Sequence, residues 1–304
     1  MQEGQRGRGE RVPGSAGRRR HVDRAEQLES AARLTARDGE GEGAGRRDRQ
    51  ALFFQGPQGI GKSSLLWEIY ERHAADGAYF LDLPRMPAEN HVLEHLAMQA
   101  RGQDVAVPSY ENTRTRFAEQ SAQTQVDFTN VRLRNGTFQL LAAAEDRTLR
   151  TASLSDALLD NLVADARRPV ICLDGFEACA QPMRDWLGRS LLPNLLSRRV
   201  VSVFVAGRQL PSLGRPYAGA VHTMVLPPFD VQAVREWIEG LGFASLKGEA
   251  AAIHQVHGGV PELLDEFFKL HIEPVEAASE RERGQTREQE QEQTQGHPDG
   301  GRDG

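Results

Sequence analysis

The run Gly56-Pro57-Gln58-Gly59-Ile60-Gly61-Lys62-Ser63 sits between the apolar stretch ALFFQ and the amphipathic stretch LLWEIYERH, and it admits few folds. It fills the spacing G-x-x-x-x-G-K-[ST] in full, and a buried strand before it with a helix after it is the setting in which that spacing holds phosphate. The glycines let successive backbone N–H groups turn inward around a β-phosphate, and the helix N-terminus adds partial positive charge. Lys62 is the cation for the β and γ oxygens and Ser63 the hydroxyl that ligates Mg²⁺, with Ser64 next in the same turn against the nucleotide. The chain holds only three lysines among 37 basic residues, so one at this position is not an accident of composition.

Such a loop needs a carboxylate for the metal at the end of a neighbouring strand. VICLDGFE supplies four apolar residues and then Asp174, which is expected to hold Mg²⁺ through water while Ser63 holds it directly. An acidic residue directly after that Asp commonly orients the attacking water, but Gly175 stands there. Glu177 is the nearest candidate, and it serves equally as a cap for the helix that follows. The next strand ends VFVAGRQLP, which puts Arg208 at the edge facing a γ-phosphate, either as a sensor of the nucleotide state or as a surface arginine. No Asn-Lys-x-Asp guanine reader lies near it, which favours ATP over GTP.

Further strands are read at AYFLDL (78–83), PVICLDG (169–175), VVSVFVAG (200–207) and VHTMVL (221–226), with helices at 21–37 (capped by Asp23), 90–101 and 183–196. Buried apolar strands alternating with helices mean an α/β fold with a parallel sheet sandwiched by helices. Within an inserted segment of about 85–150, Asn135-Gly136 between apolar runs reads as a hairpin. A helix then starts over SLSDALLDNLVADA, with Ser153 or Ser155 as its cap. From Asp230 to Leu270 three short helices form a small subdomain. The expected organisation is a basic arm (1–20), an α/β core (21–228), a helical subdomain (229–273) and a polar tail (274–304), with both ends disordered.

With 39% apolar residues the chain has enough for a core, and its net charge of −6 argues against a dedicated nucleic-acid binder despite six arginines before His21. No apolar run approaches membrane-spanning length and the start does not resemble a signal peptide, so a cytoplasmic protein is expected. Cys172 and Cys179 read as buried, inert thiols. HVLEH (91–95) matches a zinc-peptidase spacing without a third ligand, and His254 with His257 sits at a helix end; neither is read as a metal site.

Taken together, HVDRAEQLE, FFQGPQGIGKSSLL, VICLDGFE, VAGR and HGGVPELL resemble the ordered landmarks of the STAND class of P-loop ATPases, relatives of the AAA+ ATPases, over roughly residues 21–272. The resemblance implies that Val22 and Arg24 lie by the adenine, that Gly259 and Pro261 close over the nucleotide, and that Arg208 touches the terminal phosphate. It implies a switch in which ADP and ATP favour different forms, with a protein effector and ATP-dependent self-assembly as partners. A polar stretch stands where a winged-helix domain and a repeat sensor usually follow, no effector domain precedes residue 21, and the inserted segment is longer than usual. Sensing and output are therefore expected from partner proteins or from that insertion. The rival readings are an AAA+-like ATPase working on DNA in initiation or transposition, a small-molecule kinase, and a nucleotide-binding scaffold that has lost hydrolysis, for which Gly175 speaks.

Overall fold

The computed structural model describes residues 24–36, 49–127, 136–165 and 167–271. The expected basic arm, Val22, Asp23 and the polar tail lie outside them. Five strands make one wholly parallel sheet in the order β2-β3-β4-β1-β5, formed by β1 (Ala51–Gln55), β2 (Ala78–Asp82), β3 (Val170–Asp174), β4 (Ser202–Gly207) and β5 (Val221–Val225). The inner strands are apolar at nearly every position because both faces are covered, and alternate side chains divide between two cores.

On one face Leu52, Phe54, Ala78, Val170, Cys172, Phe204 and Ala206 pack on helix α2 (Lys62–His73) through Leu65, Leu66 and Ile69, and on α1 (Ala25–Thr35) through Leu28 and Ala31. Phe54 and Phe204 stack there with ring centroids 6.3 Å apart. Each is fully buried, and truncating either to Ala would cost about 3–5 kcal/mol. On the other face Phe53, Tyr79, Leu81, Ile171, Leu173, Val203 and Val205 meet α3 (Glu89–Gly102), α5 (Gly136–Ala164) and the helical stretch 181–197. That stretch is α6 (Gln181–Trp186) and α7 (Leu192–Ser197) joined by a π turn over Leu187–Leu191.

The free edge of β2 is closed by side chains. Gln99 on α3 accepts the Phe80 N–H at 2.9 Å and donates to the Phe80 carbonyl at 2.7 Å, and Gln103 donates to the Ala78 carbonyl at 2.6 Å. A carboxamide thus stands in for a sixth strand and satisfies an edge that would otherwise invite pairing.

Two sequence expectations in the insertion need correction. Asn135 lies outside the described residues, but both flanks of the expected β-hairpin are helical: α4 (Pro108–Asp127) runs up to it and α5 starts at Gly136. The turn dipeptide joins antiparallel helices, because apolar residues on both sides pack at helical spacing. No helix starts at Ser153 or Ser155. Both lie inside α5, and the Ser155 hydroxyl is buried with no hydrogen-bond partner. Glu94 on α3 accepts from Tyr110 (3.0 Å) and Arg114 (3.0 and 3.1 Å) and so ties α4 down. That engagement also removes Glu94 from any zinc role.

Residues 228–271 belong to a second compact unit with its own core of Phe229, Val234, Trp237, Ile238, Phe243, Leu264 and Phe268. It comprises α8 (Val231–Gly240), whose Asp230 cap accepts the Ala233 N–H at 2.7 Å, then α9 (Ala250–His257) and α10 (Pro261–His271). Gly259 is required by close approach: its φ is +67°, and a Cβ there would lie 2.1 Å from the Phe229 carbonyl oxygen. Among the described residues no helix is long and apolar enough to cross a membrane.

Candidate nucleotide site

The site lies at the C-terminal ends of β1, β3 and β4, where a parallel sheet leaves its loops free to converge. The loop leaves β1 at Gly56 and enters α2 at Lys62, turning through Gly59 (φ 77°) and Gly61 (φ 92°), where side chains are disfavoured. A Cβ on Gly56 would lie 2.9 Å from Ile60 Cγ2, so the buried Ile60 packs against the loop's first glycine while Pro57 and Gln58 face solvent. Lys62 is only 9% exposed, and its ammonium donates to the carbonyls of Gly56 (2.9 Å) and Pro57 (2.7 Å). The cation therefore bends back across the mouth of the loop. Ser63 and Ser64, next in the first turn, are exposed.

Ser63 and Asp174 meet: the serine hydroxyl donates to the Asp174 carboxylate. Burial pushes the Asp174 carboxyl above the ordinary carboxylate range; the Ser63 hydroxyl opposes this, the nearby Asp82 charge adds to it, and the Gly175 N–H and Lys62 oppose it. A buried carboxylate beside a hydroxyl and a lysine is a fitting seat for a hard divalent cation, and the loop above it is a cradle open to phosphate. The residues thus fit a nucleoside triphosphate with Mg²⁺.

Glu177 and Arg208 also come together. Glu177 lies in a 3₁₀ turn (Phe176–Ala178), and its Oε1 accepts from Arg208 Nε at 3.2 Å. Its Oε2 is buried without a hydrogen-bond partner, 2.7 Å from where a Cβ on Gly207 would stand. The same corner joins the phosphate loop, because the Gly56 N–H donates to the Gly207 carbonyl (3.4 Å) and the Gln55 amide to the Arg208 carbonyl (3.2 Å).

Arg24 is 3% exposed, and its Nη2 donates to the Ile60 carbonyl and the Pro227 carbonyl, each at 3.0 Å. These bonds brace the loop from beneath, a role that the expected place beside the adenine does not include. Val22 is outside the described residues. Pro261 is the first residue of α10 in the helical unit.

Sequence reasoning overlooked Asp82, Pro84 and Gly207. The first had a signal, since AYFLDL ends in Asp just as VICLDG does. Among the described residues no cluster of His, Cys, Asp and Glu is suited to a metal, so His91, His95, His254 and His257 form none. Cys172 and Cys179 are buried and free, and burial pushes the Cys179 thiol up to about 11, which makes it unreactive.

A phosphate-type loop between strand and helix, on a parallel sheet with helices on both faces, defines an α/β fold of the P-loop NTPase kind. No family model and no curated protein sequence matches the chain. Among solved structures it is similar to the Signal Transduction ATPase with Numerous Domains (STAND) protein with a tetratricopeptide repeat sensor from Pyrococcus horikoshii, at 13% identity and a TM-score of 0.45, covering 81% of this chain and 30% of that one. It is similar also to Cdc6p from Pyrobaculum aerophilum (12% identity, TM-score 0.46, covering 77% and 52%). A third similar structure is PCH-2 from C. elegans (12% identity, TM-score 0.32, covering 73% and 45%). The chain spans between 30% and 52% of the lengths of these proteins.

Proposed function

We propose that this chain binds ATP with Mg²⁺ and works as a nucleotide-controlled regulatory switch with slow hydrolysis. The observation that carries this reading is the convergence of Lys62, Ser63 and Asp174 on one glycine loop. Bound Mg²⁺ would neutralise phosphate charge, with Ser63 and Asp174 as its protein partners. Lys62 would leave the Gly56 and Pro57 carbonyls for the β and γ oxygens, so the phosphate chain replaces two bonds the loop makes to itself. Arg208, joined through Gly207 to the loop's first residue, is suited to register the γ-phosphate.

A switch requires that the two nucleotides bind its two forms with different affinity. Arg208 supplies such a difference, because only ATP offers it a terminal phosphate in exchange for Glu177. The protein effector, the self-assembly and the Val22 and Pro261 contacts belong to the same reading. The test is the nucleotide content of freshly purified protein, followed by ATP turnover and mass in solution with ATP or ADP. Retained ADP, slow turnover and a mass that grows only in ATP are expected. An empty, monomeric protein with fast turnover would overturn the switch.

Gly175 favours a second reading, a scaffold that binds nucleotide without cleaving it. The same purified protein separates the two: bound ATP that survives days of incubation with Mg²⁺ would select the scaffold.

A further inference from the structure

The sheet places a second carboxylate beside Asp174. β2 and β3 are parallel neighbours whose registers pair Asp82 with Asp174, the last residue of each strand. Residues in register on adjacent strands stand roughly 5 Å apart. Both point to the same face: Ala78 and Phe80 on β2, and Val170 and Cys172 on β3, pack in the core built around α2, and Asp82 and Asp174 continue those two alternations. That face carries Ser63 in the first turn of α2. Asp82 is near enough for its charge to act on Asp174, and its own Oδ2 faces Arg85 Nε at 2.8 Å.

The segment that starts at Asp82 also accounts for Gly175. Pro84, two residues on, fills the space in which a side chain at 175 would stand: a Cβ there would lie 2.5 Å from Pro84 Cγ. The position after Asp174 is therefore closed by the loop that brings Asp82 to the site. Glu177, the alternative carboxylate, is engaged by Arg208 on the β4 side.

We propose that Asp82 is the acid–base carboxylate of this site, delivered from the neighbouring strand in place of a side chain at Gly175. The inference rests on the ATP-binding reading above and names the group that reading leaves out. In the step it serves, the oxygen of a water forms a bond to the γ-phosphorus as the bond from that phosphorus to the β–γ bridging oxygen breaks. The electron pair of the broken bond leaves on ADP. The proton of the water passes to the Asp82 carboxylate and from there to solvent once phosphate departs.

The test compares wild type, Asp82→Asn and Asp82→Glu for Mg–ATP affinity, phosphate release, and affinity for ADP with aluminium fluoride, which imitates the in-line arrangement without turnover. Asp82→Asn is expected to slow phosphate release by about a hundredfold or more. Its Mg–ATP affinity should stay within about threefold of wild type while its preference for ADP–aluminium fluoride over ADP is lost. Asp82→Glu keeps a carboxylate and should fall between, which gives a reading if the Asn variant folds poorly. Phosphate release by Asp82→Asn within about threefold of wild type overturns the proposal, as does a wild type that binds Mg–ATP yet neither cleaves it nor prefers ADP–aluminium fluoride. Failure of the wild type to bind Mg–ATP at all would be a different result, and would remove the nucleotide reading beneath it.

Discussion

The ring of Pro84 stands where any side chain on Gly175 would have to go, with Cγ 2.5 Å and Cδ 2.6 Å from the place of its Cβ. Gly175 also has a φ of +75°, so backbone and neighbour both demand glycine. Gly175→Ala is expected to destabilise the protein by about 1–3 kcal/mol, read as a lower Tm in thermal unfolding. Gly175→Glu restores a carboxylate in sequence but should not speed phosphate release. Adding Pro84→Gly relieves the collision while the positive φ remains, so its recovery of Tm should be partial.

Lys62 holds the mouth of the loop through two backbone carbonyls and would hold the phosphates in their place. Lys62→Ala should weaken Mg–ATP by about 2–5 kcal/mol, roughly thirtyfold to several thousandfold, in calorimetric titration. Binding at near wild-type strength would exclude the loop as the phosphate site.

The Asp174 carboxyl is held above the ordinary carboxylate range, mainly by burial. The folded chain therefore keeps its proton more readily than the unfolded chain does. This favours folding below the ordinary Asp value of 3.8, and the advantage is lost as pH rises through the raised folded value. In metal-free protein, Asp174→Asn should melt at a higher temperature than wild type at neutral pH, by roughly 2–4 °C for each kcal/mol relieved. The gap should shrink as pH is lowered. The same substitution should remove the Mg²⁺ dependence of ATP affinity, so that one variant gains stability and loses the ligand response.

Arg208 is more than half exposed, so its pair with Glu177 adds under about 1 kcal/mol to stability. Its value lies in nucleotide discrimination. Arg208→Ala should leave Tm nearly unchanged and lower the preference for ATP over ADP by roughly tenfold or more, the worth of one charge-assisted hydrogen bond. Paired titrations with the two nucleotides read this directly. An unchanged ratio would return Arg208 to the role of a surface ion-pair partner.

The phosphate loop, its strand and its helix are legible in the sequence because their signals are local: glycines at fixed offsets, an apolar run before and helical spacing after. The strands β3 and β4 are legible for the same reason, and Asp174 with them. Asp82 is not, because nothing in AYFLDL says that it lies beside VICLD in the sheet; strand adjacency is a long-range property. Pro84 over Gly175 has no local trace for the same reason. Arg24 is visible as a motif residue, but its bonds run to Ile60 and Pro227, far apart in the chain. In the insertion, Asn135-Gly136 is a true turn signal in the wrong setting, since the dipeptide alone cannot distinguish strands from helices on either side.

Strand β2 ends at Asp82, and its neighbour β3 begins only at Val170. Everything between must be laid down before the two strands can meet, which makes this pairing a late, non-local event in folding. The helices α4 and α5 are mutually packed and form from contacts near in sequence, so they gather most of that span into one element and shorten the loop to be closed. Asp82 and Asp174 arrive side by side only when that closure is complete. An incompletely folded chain can therefore carry a formed phosphate loop and still lack the pair of carboxylates beneath it, so that competence at the site reports on the maturity of the whole sheet.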